Sequence, residues 1–460
     1  MRKLFVIGVL VSAFFSIVVR VHSEDSTGDK VGNGTWRQVS KLVAADGRKN
    51  DEMGYSIAMS GNTIVVGAPY ATINSHYAQG AAYVFVRSAR GWVRKARLTA
   101  SDGAINDFLG TSVSINGDTV AVGADGVNIK KDLHAGGAYM FVKPRTGWAD
   151  MTQTAKLTAS DEAAKAYLGS SIAISGDTVA IGADGAAVGA NQFEGAVYVF
   201  VKPAKGWITT NRFKAKLTSS DGGRGDQLGY SLAMSGDTIA AGARSAAVGT
   251  NSRQGAVYIF SKSAQGWASG NEMAKLTASD GAKDDLFGYS VSIKNDTVVT
   301  GAPGAGGAGA VYLFVKPPNG WSKASAFTAK LTGPNGAKGD QLGYSVTCNA
   351  SMVVAGARNA TVGQNPRQGA VYVFSKQNDG WATATQDAKL VATDGGPRDG
   401  LGSALAMIND TLVAGAVDAS LGAKAFTGAA YVFSTSSENA DGVHMPKTAR
   451  GSLRKKSVSN

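Results

Sequence analysis

Cysteine is almost missing from this chain. Cys348 stands alone, so no intrachain disulfide can form and the fold has to be held by packing. A catalytic thiol is the sharper reading of Cys348, but no paired histidine is evident and the other copies of the repeat described below carry Met or Ile there, which makes it structural filler. Histidine is scarce as well: of four, His22 and His444 lie near the two ends, leaving His76 and His134. No H-E-x-x-H, G-x-S-x-G or C-x-x-C occurs, which excludes the usual zinc-hydrolase, serine-hydrolase and dithiol sites. Long apolar runs are limited to Leu4–Val19, sixteen residues behind Arg2 and Lys3 and ahead of Val21-His22-Ser23. This pattern predicts a signal peptide over residues 1–23, cleaved before Glu24, and no transmembrane segment afterwards.

What remains is rich in glycine, 60 residues of 460, with 44% hydrophobic and only 8% aromatic content. Apolar β-type runs persist throughout, so the glycine fits many turns and close packing rather than disorder. Removing Arg2, Lys3 and Arg20 from the 46 basic residues leaves 43 against 34 acidic, a net +9 that favours acidic partners. Part of that charge is Lys447, Arg450, Arg454, Lys455 and Lys456, in a basic tail over 436–460 expected to be disordered. A nucleic-acid role is not expected of an exported chain without aromatics among its basic residues.

All seven tryptophans, Trp36, Trp92, Trp148, Trp207, Trp267, Trp321 and Trp381, lie 54 to 60 residues apart, a spacing that marks a repeat architecture. Each copy carries Trp, A-K-L-T or a variant, an acidic Gly-rich link, L/F-G-Y-S, a tight turn, V-A-V-G-A, a variable loop and G-A-V-Y-V-F. Four strands follow from this. In the fifth copy they are the inner Gly288 to Ile293, second Thr297 to Ala302, third Gly309 to Val315, and an outer strand within Trp321 to Thr332. The third strand is apolar on both faces, so its sheet is covered on both sides. The inner strand carries Gly, Ser and Ala, which suits crowding at an axis.

The expectation is an all-β, seven-bladed β-propeller of four-stranded blades over residues 36–435, preceded by a linker at 24–35. A straight solenoid would need polar caps at both ends, and neither terminal copy is polar. Phase also favours a ring. The chain starts with an outer strand at Trp36 to Ala45 and ends with a third strand at Phe433, so the N-terminal outer strand completes the last blade and removes an exposed edge.

Phe287-Gly288-Tyr289-Ser290, Gly301-Ala302-Pro303 and Gly309-Ala310-Val311-Tyr312 resemble an FG-GAP repeat, the unit of the seven-bladed propeller at the head of integrin α subunits. The likeness covers residues 36–435, although most copies read Leu-Gly for Phe-Gly and Gly-Ala-Asp or Gly-Ala-Arg for Gly-Ala-Pro. In the integrin repeats, some blades bind calcium in an Asp-rich loop between inner and second strands. Here that link is only Ser60-Gly61-Asn62, Asn116-Gly117-Asp118 and their equivalents, too short for the oxygens calcium needs, so neither metal nor cofactor is expected. The resemblance implies ligand binding through the rim that carries the variable loops.

On that rim the candidate ligand-binding residues are His76, Tyr77, Lys130, Lys131, His134, Arg244, Arg253, Arg358 and Arg367. The acid pairs Asp46/Asp51, Asp102/Asp107, Asp221/Asp226, Asp280/Asp285 and Asp394/Asp399 read either as a cation-holding ring or as turn formers, and repetition favours turns. Arg224-Gly225-Asp226 is an RGD tripeptide whose Asp226 is simply the register acid of its copy. N-glycosylation sequons stand at Asn33, Asn295, Asn349, Asn359 and Asn409. No catalytic set emerges.

The sequence therefore reads as a secreted or cell-surface, monomeric, adhesion-type binding protein for an extracellular protein or acidic glycan. A polysaccharide lyase or hydrolase working at the axial opening is the alternative. The closed ring makes a direct prediction: deleting residues 24–45 leaves an aggregating or unfolded protein. A soluble truncation that melts cooperatively would show the ring does not depend on its first strand.

Overall fold

The computed structural model describes residues 35–435 apart from 162, 325, 334, 335 and 379; the expected signal peptide, Asn33 and the basic stretch 436–460 lie outside the described residues. Seven sheets follow one another in chain order, each built from an inner, second, third and outer strand. Blade one, for example, comprises Ser56–Ser60, Thr63–Ala68, Ala81–Ser88 and Gly91–Thr99. Blade five comprises Ser290–Lys294, Thr297–Ala302, Ala310–Val315 and Ala329–Thr332. In blade seven the outer strand is Arg37–Leu42, paired antiparallel with Ala429–Ser434, Arg37 opposite Ser434 and Leu42 opposite Ala430. The propeller is thus closed by its first strand, as its sequence phase requires.

The outer strands differ from expectation. Only blades one and seven have one that reaches its tryptophan; in blade five the strand holds Ala329–Thr332 and stops short of Trp321. The freed Trp segment turns to the preceding blade instead and adds a parallel rung to its outer strand, as Met151 does against Leu98 and Ala384 against Leu331. Side chains extend this latch. Asp150 accepts the Arg97 N–H at 2.7 Å and Glu272 accepts the Ser220 N–H at 2.9 Å. The tryptophans are packing anchors, with five of the seven between 4% and 8% exposed and Trp92 and Trp381 half-buried.

Apolar packing runs between blades. Val65 and Ala82 of blade one meet Val120, Val122, Tyr139 and Phe141 of blade two in one buried cluster, and comparable clusters occupy the other junctions. The two-faced third strand is the reason, since Val311 and Leu313 serve one junction while Ala310, Tyr312 and Phe314 serve the other.

Near the axis, backbone replaces side chain at the junction. A Cβ on Gly67 would stand 2.1 Å from the Gly110 carbonyl oxygen of the next blade, and one on Gly110, whose φ is +105°, would stand 2.5 Å from the Ala81 oxygen. A serine two residues after the inner-strand glycine seals six of the seven contacts. Ser56 Oγ donates to Gly110 O at 2.7 Å, Ser171 Oγ to Gly229 O at 2.6 Å and Ser231 Oγ to Gly288 O at 2.8 Å. At the closing junction, Ala404 stands in the serine position.

Two glycines separate close approach from ordinary turn freedom. Gly110→Ala combines backbone collision with positive φ and is expected to cost ~3 kcal/mol or more. Gly117→Ala, at φ +56° with nothing within 4 Å of its Cβ, should cost only about 1 kcal/mol, both read by chemical denaturation.

Candidate functional site

Variable loops and inter-blade links share one rim and are stitched together by backbone hydrogen bonds. Tyr77 O accepts the Asn106 N–H at 3.1 Å, Leu133 O accepts Lys165 N–H at 2.8 Å, and Ser252 O accepts Asp284 N–H at 3.2 Å. These bonds fix equivalent loop-tip positions: Tyr77 in blade one, Leu133 in blade two and Ser252 in blade four. The next position takes positive φ in His134, Arg253, Arg367 and Phe426.

The acidic links are structural. Asp51, Asp107, Asp226, Asp285 and Asp399 each accept the N–H of the residue three before them at 2.7–2.8 Å. The first acid of each pair meets a basic outer-strand residue: Asp102 meets Lys156 at 2.7 Å, Asp221 meets Lys275 at 2.9 Å and Asp394 meets Lys41 at 2.7 Å. They shape turns and tie blades, and Asp226 of the RGD tripeptide is buried in that role. Among the described residues no three His, Cys, Asp or Glu side chains come together as a metal site.

The structure separates the predicted ligand-binding residues into two groups. His76, Tyr77, Lys130, Lys131, Arg253 and Arg367 are exposed on loop tips, with His134 half-buried against Tyr167 at 6.0 Å between ring centroids. Arg253 lies 3.4 Å from Asp284, and Arg367 Nε donates to Asn359 Oδ1 at 3.2 Å. Arg244 and Arg358 instead end second strands and turn to the axis. Arg244 lies over the Tyr230 ring at 3.7 Å and donates from Nε to Gln227 Oε1 at 3.0 Å. Arg358 donates to Tyr344 Oη at 2.8 Å and to Asp418 Oδ2 at 3.0 Å. Burial alone would lower the Arg358 pKa, but Tyr344 and Asp418 outweigh it and hold the guanidinium firmly charged.

Arg358 lines a cavity of about 380 Å³ at the mouth of the axis, and Arg244 stands behind its Tyr230. Two repeat positions build it. The residue after Phe/Leu-Gly, or after Met53-Gly54 in blade one, supplies Tyr55, Tyr230, Tyr289 and Tyr344, with hydroxyls from Thr111, Ser170 and Ser403 in the other blades. The residue after Gly-Ala on the second strand supplies Asp125, Asp184, Arg358 and Val417. Tyr230, Tyr289 and Tyr344 pack in series at 5.2 and 4.9 Å between centroids, forming one wall. On blades two and three, Asp125 accepts from Thr111 Oγ1 at 3.0 Å and Asp184 from Gln227 Nε2 at 3.4 Å. Burial pushes Asp125 up to about 6, helped by the Asp184 charge, and raises Asp184 too. Glu52, on the link into blade one, is pushed up to about 7 by burial and by Asp418, against the pull of Arg358.

Asp125, Asp184 and the tyrosines were not singled out from the sequence. Their signal was the variation of Gly-Ala-Pro to Gly-Ala-Asp or Gly-Ala-Arg, which gains meaning only once the ring brings those positions together.

The fold and its repeat signature meet in the comparison with known families. The FG-GAP repeat matches residues 36–85, 92–141, 151–200, 212–260, 271–314, 326–374 and 384–433. The chain belongs to the FG-GAP repeat family. Each match begins at or near an outer strand and ends in the third strand of the following blade, so this FG-GAP propeller is offset from its own repeat by one strand. No curated protein matches the chain.

The FG-GAP propeller's opposite rim carries the hairpins with Asn295 and Asn409, both exposed at positive φ, and Asn349, whose Oδ1 accepts the Met352 N–H at 2.7 Å. Asn359, on the loop rim, donates to Gln341 Oε1 at 2.9 Å. Around the hairpins Lys143 pairs with Asp118 at 3.0 Å and Lys262 with Asp237 at 3.2 Å. Cys348 is buried, 3.4 Å from Ser292 Oγ, and burial pushes its thiol up to about 11, consistent with an unreactive role. Among the described residues no helix is long and apolar enough to cross a membrane.

The axial carboxylate gives a signed prediction. The Asp125 carboxyl ionises less readily folded than unfolded, so stability falls as pH rises from about 4 to about 6 and is level above. Asp125→Asn should therefore be about 1 kcal/mol more stable than wild type at pH ~7.5 and equal to it at pH ~4, compared by chemical melting.

Proposed function

We propose that this FG-GAP propeller is a secreted or cell-surface, non-catalytic binding protein that takes a protein ligand on its loop rim, over blades seven, one and two. One observation carries the reading. Away from the axis, the exposed large apolar side chains on this rim are Phe426 at 39%, Tyr77 at 53%, Ile105 at 56% and Leu133 at 58%, and all belong to that arc. At the loop-tip position where blades one and two carry Tyr77 and Leu133, blades three and four carry Gln192 and Ser252. Clustered apolar groups rimmed by polar ones mark binding surfaces, and Lys130, Lys131 and His76 supply such a rim. The ligand expected is an extracellular protein with an apolar patch edged by acidic groups. An outward loop rim and exposed hairpin sequons at Asn295 and Asn409 on the other face suit a glycosylated protein that leaves this arc uncovered.

The test is a binding screen of the purified protein against arrays of extracellular proteins and glycans, with and without chelator. A chelator-insensitive protein ligand is expected, and its affinity should fall at least ~10-fold for Tyr77→Ser combined with Leu133→Asp while Arg253→Ala leaves it unchanged. A ligand indifferent to the first change, or depolymerisation of a glycan by the protein, would replace this reading.

A further inference from the structure

The axial mouth carries an imbalance that the loop rim does not explain. Within and beside the cavity stand four carboxyl groups, Asp125, Asp184, Asp418 and Glu52, and two guanidinium groups, Arg244 and Arg358. Both arginines are already committed. Arg358 is bound to Asp418 and Tyr344, and Arg244 is held on the Tyr230 face by Gln227. Asp125 and Asp184 are left on the cavity wall with hydroxyl and amide donors alone, and neither forms an ion pair with a described residue. Arg244 is near enough to draw the Asp184 pKa down in part, but burial outweighs it.

Asp125 and Asp184 line the same cavity from adjacent blades, and carboxylates withdrawn from bulk water attract positive charge more strongly than they would in it. The rest of the cavity narrows which cation fits. No three potential metal-ligating side chains converge among the described residues, so the wall lacks the oxygen cage a bare divalent ion requires. A neutral hydroxyl-rich ligand would leave both carboxylates buried without counter-charge. The facing wall of Tyr230, Tyr289 and Tyr344 is apolar in its faces and polar only at its hydroxyls, a surface for a carbon body. At about 380 Å³ the space equals roughly a dozen waters at ~30 Å³ each, enough for a small organic molecule and too little for a folded partner.

We infer that the axial mouth is a binding site for a small organic amine, its ammonium group between Asp125 and Asp184 and its carbon body against the Tyr230–Tyr289–Tyr344 wall. Thr111, bonded to Asp125, and Ser170, bonded to Asp184, line the same cavity and accept the remaining ammonium hydrogens. The position of these acids is specific to this chain's copies. The same repeat site is Pro69 and Pro303 in blades one and five, Arg244 and Arg358 in blades four and six and Val417 in blade seven, so at this position carboxylates stand only in the adjacent blades two and three and the ligand is oriented by them. The site does not rest on the loop-rim reading, since its residues lie at strand ends and not at the loop tips.

The test is calorimetric titration of the full-length protein with n-butylamine, 1,4-diaminobutane and phenethylamine, against n-butanol, butyrate and methyl glucoside. Saturable binding of the amines is expected, with the three uncharged or anionic probes inert. Asp125→Asn and Asp184→Asn should each weaken amine binding at least ~10-fold, while Asp118→Asn on the opposite rim and Tyr77→Ser leave it unchanged. Thermal melting of each variant separates lost binding from lost fold, and Asp125→Asn, expected to be the more stable protein, keeps the test decisive if Asp184→Asn does not fold. Absence of saturable amine binding to the wild-type protein, wild-type affinity retained by both Asn variants, or preferential binding of methyl glucoside would each overturn the assignment. Loss of rim ligand without loss of amine binding would leave this inference standing and remove only the docking face.

Discussion

Everything in this molecule hangs on how closely one blade's backbone can approach the next. The inner strands meet at glycine, with the Gly67 and Gly110 pair and its equivalents placing carbonyl oxygens where a Cβ would otherwise stand. A serine hydroxyl then satisfies that carbonyl across the junction. Small residues draw the inner strands together, which leaves the wider part of each wedge to be filled by Tyr, Phe and Val from third strands. Sevenfold closure, the tapering core and the narrow axis follow from that single contact repeated. It also accounts for the high glycine content without any need for flexibility.

Because glycine and serine hold the ring, neighbouring positions are released from structural duty. The residue after Phe/Leu-Gly and the residue after Gly-Ala both face the axis, and there the copies diverge into Tyr, Thr, Ser, Asp, Arg, Pro and Val. The loop tips are likewise free, as their backbone bonds to the links hold whatever side chain is present. A rigid scaffold with two sets of unconstrained positions, one axial and one peripheral, supports two kinds of recognition on the same rim.

The architecture was legible in the sequence because it is stated seven times. Tryptophan spacing gave the blade count, the two-faced strand around Tyr312 gave the covered sheet, and the phase at Trp36 gave the closure. The length of the outer strands was not legible. Ala-Lys-Leu pairs within its own blade, but nothing local reveals that the Trp segment crosses to the previous one. The candidate loop residues were read from the variability of the copies and lie on the rim as expected, except that Arg244 and Arg358 face the axis. Asp125 and Asp184 stayed hidden because they are 59 positions apart in number and meet only when adjacent blades do. The acid pairs of the links, more conspicuous in sequence, proved to be consumed by turns and by the basic residues of outer strands.

The closing strand carries a mechanical consequence. Arg37 lies opposite Ser434, so the start of the propeller and its last rung sit at the same end of one antiparallel pair. Tension applied through the two chain ends would open that pair rung by rung rather than load all its hydrogen bonds at once, and a strand peeled this way yields at low force. Gln38, which accepts the Thr393 N–H, stands beside the pulled end and would release early, whereas Lys41, bonded to Asp394, lies near the far end of the strand and would be among the last to let go. The closed ring therefore has a designated seam, and tethering by both ends would load that seam first.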